Sequence, residues 1–139
     1  MTTPFARRRR AVLARLGKSR LGSLLITRPA SWYYLTGFTG DSGALVVSRR
    51  GTTLITDGRF MSQAREETAG VGIVQQRGSL VAAAGDFLKS AGGGKVGFDA
   101  SHVTVGQLAA MRKAGGARTR WIPSAGLVEE LRSRKDPRE

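Results

Sequence analysis

The chain has 139 residues, 40% of them hydrophobic and 24% charged, the make-up of one soluble domain with room for a packed core. It contains no cysteine, which excludes disulfides and thiolate metal sites, and no apolar run near the ~20 residues that span a bilayer. The net charge of +13 makes nucleic acid the first partner to weigh, but only Arg7 to Arg10 form a run and few aromatics interleave with the basic positions.

In chain order, Thr3-Pro4 predicts an N-cap and a proline at the first helical position. The helix runs to Gly17 with Phe5, Val12, Leu13 and Leu16 on one face and the arginines outside. The AVLARLGKSRLG stretch lacks the unbroken apolar core of a secretory signal, so a cytoplasmic setting is expected. SLLIT (23–27) predicts a buried strand, and Ser31 the cap of a short helix, WYYLTG. ALVVS and TTLIT flank SRRG and predict a β-hairpin buried on both faces. Asp57-Gly58 closes its second strand, and RFMSQAREE turns helical with Phe60, Met61 and Ala64 inward. The remainder alternates: VGIVQQ, KVGFD and ARTRWIP as strands, with helices capped by Ser79, Thr104 and Ser124. Six strands and six helices in this order predict an α/β three-layer sandwich on a six-stranded mixed sheet. No internal repeat or interdomain linker is visible.

The loop TGDSG (39–43) resembles the surroundings of a serine nucleophile, but the partners are missing. His102 is the single histidine, it follows the serine, and an α/β chain cannot supply the paired β-barrels of a trypsin-like enzyme. Gly40, Asp41 and Gly43 are read as a tight loop before a buried strand. AGGGKVG fails as a phosphate loop, because Lys89 stands where a glycine is needed and Val96 where a hydroxyl is. It is read as a helix stop and a turn. His102 alone is no metal site and is expected at the surface or as a cap. Asp41, Asp57 and Asp99 lie near strand ends and raise the thought of a shared Mg²⁺, although aspartate is ordinary beside turns.

Collinear segments carry a resemblance. They are RRRRAVLARL, SLLITRPASWYYLTGFTGDSGALVV, TTLITDGRFMSQAREE, KVGFDASHVTVGQLAAM and LVEELRSRKDPRE. Together they resemble the N-terminal domain of the creatinase/prolidase/aminopeptidase P metallopeptidases. The resemblance implies a ribonuclease H-like topology over residues 1–132, with 133–139 starting the linker to a C-terminal catalytic domain beyond this chain. That domain would hold two divalent ions, Mn, Co or Zn, and activate a water against the bond before proline. Residues 1–139 are accordingly expected to bind no metal and to be catalytically inert. The resemblance further implies a homodimer or tetramer in which this domain covers the partner's active-site mouth and admits small peptides. The residues facing that mouth would be Phe38, Thr39, Gly40, Asp41 and Ser42, with Asp57 and Arg59. Arg59 suits a substrate carboxylate, its plainer role being an internal salt bridge with Asp57 or Asp41. Phe38 is read as core or interface before substrate wall. Two departures stand out. No histidine follows Thr-Gly-Phe, which favours an aminopeptidase over a strict dipeptidase, and Phe60 replaces a tyrosine. The competing reading is a free-standing basic domain that binds nucleic acid.

Overall fold

The computed structural model describes residues 3–76, 78–124 and 126–133. Its elements are α1 (Pro4–Ser19), β1 (Ser23–Ile26), α2 (Pro29–Thr36), β2 (Ala44–Ser48), β3 (Gly51–Thr56), α3 (Met61–Glu67), β4 (Val71–Gln75), α4 (Leu80–Ser90), β5 (Gly94–Phe98), α5 (Val105–Gly115), β6 (Thr119–Pro123) and α6 (Leu127–Arg132). The six strands form one sheet in the order β4-β3-β2-β1-β5-β6. β2 runs antiparallel to both neighbours, and the remaining pairings are parallel. A three-strand meander extended by parallel crossover strands is the expected ribonuclease H-like arrangement, with β4 added at one edge.

Alternation along the central strands divides the core. Leu24 and Ile26 of β1, with Leu45 and Val47 of β2, face α1, α2, α3 and α6. Leu25 of β1, with Ala44, Val46, Val96 and Phe98, faces α4 and α5. Three layers follow from that alternation. In β3 only Leu54, Ile55 and Thr56 are buried, so the predicted two-sided burial of the hairpin holds for β2 but not for the start of β3.

Several local signals act as expected. The side chains of Thr3, Ser79 and Thr104 accept from the N–H groups of Ala6, Ala82 and Gln107, and Gln107 completes a capping box. Others do not. α1 continues past Gly17 to Ser19, where Arg20 adopts φ +59° and the Leu21 N–H bonds to the Leu16 carbonyl. α2 begins at Pro29 rather than after Ser31, because a proline at the first helical position fixes the start. Ser31 lies inside it and is buried. Ser124 does not cap α6: its N–H is bound by the Phe98 carbonyl, and the helix starts only after Gly126. Residues 58–60 form a 3₁₀ turn before α3.

The arginine run is not all outside. Arg8 donates to the Tyr34 carbonyl at 3.0 Å and Arg9 to the Leu35 carbonyl at 2.8 Å and the Ala69 carbonyl at 3.0 Å. The Tyr34 and Leu35 carbonyls are terminal carbonyls of α2 that no helical N–H can reach, and the Ala69 carbonyl lies between α3 and β4. The Tyr33 and Trp32 carbonyls take the Gly37 N–H and the Thr36 hydroxyl, so the end of the helix is satisfied.

Candidate functional site

The loop from Gly37 to Gly43 joins α2 to β2 at the edge where β3 also ends. The Gly37 N–H bonds to Tyr33 at φ +82°, and Phe38 then drops into the core with no exposed surface. The Phe38 ring lies 6.4 Å from Trp32 and 6.0 Å, edge-on, from Phe60. Phe38 therefore anchors the loop from below and presents no wall to solvent. Gly40 is buried, and its carbonyl accepts from the Trp32 indole at 3.1 Å. A Cβ on Gly40 would stand 2.2 Å from the Phe38 ring, so the loop closes this tightly only with glycine there.

Thr39 sits on the outside, and α3 holds it. Its N–H and hydroxyl donate to the two oxygens of Glu67 at 2.9 and 2.7 Å, and Gln63 donates to its hydroxyl at 2.8 Å. Burial pushes the Glu67 carboxyl up, but the hydrogen bonds from Thr39 and Gln63 outweigh it and hold the carboxyl below its ordinary value.

Asp41 is exposed and Ser42 half-buried, with the Ser42 carbonyl accepting from the Thr56 hydroxyl at 2.5 Å. That bond ties the loop to the end of β3, where Asp57 caps the 3₁₀ turn through the Arg59 N–H at 2.9 Å. The Arg59 guanidinium returns onto the same carboxylate, Nε to Oδ1 at 3.1 Å and Nη2 to Oδ2 at 2.9 Å. This fork, then the Arg59 N–H and the Ser42 hydroxyl, lower the Asp57 carboxyl to about 2. Arg59 is raised in turn, first by Asp57 and more weakly by Asp41. Its guanidinium lies 5.3 Å from the Phe60 ring centroid.

The Arg59 side chain nevertheless remains 77% exposed. A guanidinium carries five N–H donors, and the Asp57 fork uses two. The rest face outward from a group already fixed by a carboxylate and a ring. Such a group can accept a second carboxylate with little loss of side-chain freedom. Thr39, Asp41, Ser42, Asp57 and Arg59 thus form one cluster, with Phe38 and Gly40 as its support.

The other chemistry does not assemble. Asp99 follows β5, three strands from Asp57, a separation of about 14 Å at ~4.8 Å per strand. Oxygens that far apart cannot share an ion bound at about 2.1 Å. Among the described residues no group of three or more His, Asp or Glu could hold a metal. His102 lies on an exposed turn with Nδ1 2.8 Å from the Thr27 hydroxyl, its hydrogen-bond partner in place of Ser42. Ser42 is a loop residue.

Asp99 serves a second network. Arg28 bonds to it through Nε, reaches the Ser101 hydroxyl at 3.1 Å and lies 3.7 Å from Glu129. Burial raises the Asp99 carboxyl, while Arg28 and Ser101 together bring it below its ordinary value. This network sits where β1 meets β5, the kind of crevice in which open α/β sheets hold ligands. Here the crevice is shut. The cavity lined by Thr27, Arg28, Ser31, Asp99 and Glu129 has a volume of ≈ 20 Å³, room for about one water. Sequence reasoning missed Arg28, Gln63 and Glu67. Their partners lie 71, 24 and 28 residues away, beyond the reach of local patterns.

Comparison with known proteins places this geometry. Residues 8–134 match the family model described as the creatinase/prolidase N-terminal domain. The chain is 33% identical over 123 residues to the uncharacterized peptidase YqhT of Bacillus subtilis (strain 168), covering 88% of this chain and 35% of that protein. It thus spans about a third of that relative's length. The N-terminal domain of cytoplasmic peptidase PepQ from Mycobacterium tuberculosis H37Rv superposes with a TM-score of 0.84 at 34% identity, covering 90% of this chain and 98% of that one. The Xaa-Pro dipeptidase from Bacillus anthracis gives 0.87 at 28% identity, covering 97% of this chain and 38% of that one. With the family model matching residues 8–134 and the fold superposing on solved domains of this kind, the chain belongs to the creatinase/prolidase N-terminal domain family.

Proposed function

We propose that this is the non-catalytic N-terminal domain of an Xaa-Pro aminopeptidase or dipeptidase. It covers the active-site mouth of a partner subunit and admits small peptides. The observation that carries the reading is Arg59, clamped by Asp57, stacked on Phe60 and still 77% exposed beside the Thr39–Ser42 loop. A fixed cation on a rim suits the carboxylate end of a short peptide, which a long chain would not bring to the same place. The family match and the small share of the Bacillus anthracis enzyme that this chain covers support a following catalytic domain. In this reading residues 133–139 begin the connection to it. Residues 134–139 lie outside the described residues.

The two divalent ions of this reading, Mn, Co or Zn, belong to that catalytic domain, since the described residues here do not fit a metal site. The chemistry of bond cleavage lies there too. The residues of this chain orient the substrate and exclude others. The nucleic-acid alternative loses ground, because Arg8 and Arg9 hold α2 carbonyls rather than facing a ligand.

The test is Arg59→Ala in the protein that carries both domains, assayed with Mn²⁺ on Xaa-Pro dipeptides and tripeptides. We expect KM for the dipeptide to rise about tenfold, the effect of one lost charge-assisted contact, with the protein still folded and its melting temperature lowered only by the loss of the exposed Asp57 fork. Identical kinetics at every peptide length would remove the gating role.

A further inference from the structure

A second charged surface lies at the opposite ends of the strands. The α1 end, the β2–β3 turn and the α4–β5 turn enclose a groove of ≈ 450 Å³ lined by Arg20, Arg49 and Arg50 with Gly17, Gly92 and Gly93. The loops are in contact: Arg50 donates to the Ala91 carbonyl at 2.6 Å, and Arg49 Nη2 lies 3.0 Å from where a Cβ on Gly17 would stand. No acidic residue occurs in the contributing segments 17–23, 48–51 and 88–93. Arg20 and Arg49 have no carboxylate partner among the described residues.

The plain account of basic residues here is compensation of helix dipoles, since α1 and α4 both end at this groove. The magnitudes do not match. Two helix C-termini contribute about −0.5 charge each, against three guanidinium charges, leaving roughly +2. Arg20 supplies an independent observation. It is the one non-glycine with positive φ among the described residues, at +59°, in a position where glycine is favoured. A costly conformation at the lip of a groove points to use of the side chain.

We infer that this groove is an oxyanion site for a small phosphate-bearing ligand. Three guanidinium groups, Arg20 after α1 and Arg49 and Arg50 on the β2–β3 turn, can each meet a different oxygen of a tetrahedral dianion, and a flat carboxylate offers only two. The site stands at the opposite end of the strands from Arg59 and does not rest on the peptidase reading.

Pyrophosphate titrated into the ¹⁵N-labelled chain at about 0.15 M salt, where exposed charges are screened beyond ~8 Å, tests it. The expected result is saturable shifts at Arg20, Arg49, Arg50, Gly92 and Gly93, with acetate giving far weaker ones. R49Q and R20G should each weaken binding about tenfold. R20G is the sharper variant: glycine is at ease at positive φ, so its melting temperature should not fall while its affinity does. Shifts spread over the arginine surface, or an unchanged affinity in both variants, would overturn the site. So would a polynucleotide that binds more tightly than pyrophosphate with its main effects at Arg112, Lys113, Arg118 and Arg120, the mark of a general polyanion surface.

Discussion

Asp57 is the residue on which the rim turns. Its carboxyl lies at about 2 in the fold, against an ordinary 3.8, chiefly through the Arg59 fork. A depressed folded pKa contributes stability that is complete above the unfolded value and lost as pH falls toward the folded one. Stability should therefore be flat above about pH 5 and decline between about 4 and 2. Glu67 and Asp99 are lowered too, so Asp57→Asn should flatten part of that decline and not all of it. Urea midpoints measured from pH 6 to 2.5 check this, and superimposable wild-type and variant profiles would count against it. Beneath the rim, Gly40→Ala forces a methyl into the Phe38 ring and should cost about 1–3 kcal/mol, the range for overpacking a core. Equilibrium denaturation gives the number, and a loss under 0.5 kcal/mol would show the loop to be looser than this. Sequence reasoning could find Asp57 and Arg59 because they are two residues apart around a turn. Phe38 too was read as core or interface before substrate wall, and the structure turns it fully inward.

At the scale of the elements, local chemistry was legible and remote chemistry was not. Caps at Thr3, Ser79 and Thr104 were readable because donor and acceptor lie three residues apart. Ser31 and Ser124 had the right residue type, but Pro29 fixed one start earlier and a bond to Phe98 held the other chain back. The arginine run was misread for a related reason. Its amphipathic pattern places Arg8 and Arg9 outside the sheet, and only the packing of α2 against α1 shows that the α2 carbonyls need them. Arg9 is lowered by burial, as befits a guanidinium serving carbonyls rather than solvent. Arg9→Ala should cost about 1.5–3 kcal/mol, the range for lost bonds from a charged donor, whereas exposed Arg10→Ala should stay within about 0.5. Thermal unfolding of the pair decides it; equal effects would mean that net charge, not capping, is being felt.

Over the whole molecule, the alternation of strands and helices predicted the α/β sandwich and its mixed sheet. The strand order followed from the family resemblance rather than from periodicity, which cannot say which strands become neighbours. The sheet then sorts the chemistry by strand end. Loops leaving β1, β3 and β5 carry Arg28, Asp57, Arg59 and Asp99, while the opposite turns carry Arg20, Arg49 and Arg50. The crevice at the centre of the first end is sealed by the Arg28–Asp99 network, which leaves the Thr39–Ser42 loop and Arg59 as the accessible part. The proposed lid role asks of this end of the sheet a fixed cation on an open rim, and Arg59 meets it. Among the described residues no helix is long and apolar enough to cross a membrane.

The lid reading is tested most directly by kcat/KM on a series of Xaa-Pro peptides of increasing length, for the two-domain protein with and without Arg59→Ala. A steep fall with length is expected in the wild type and a flatter one in the variant, with the loss concentrated in the shortest substrates. Parallel curves for the two proteins would contradict it, and the rim cluster would then be a structural turn and nothing more.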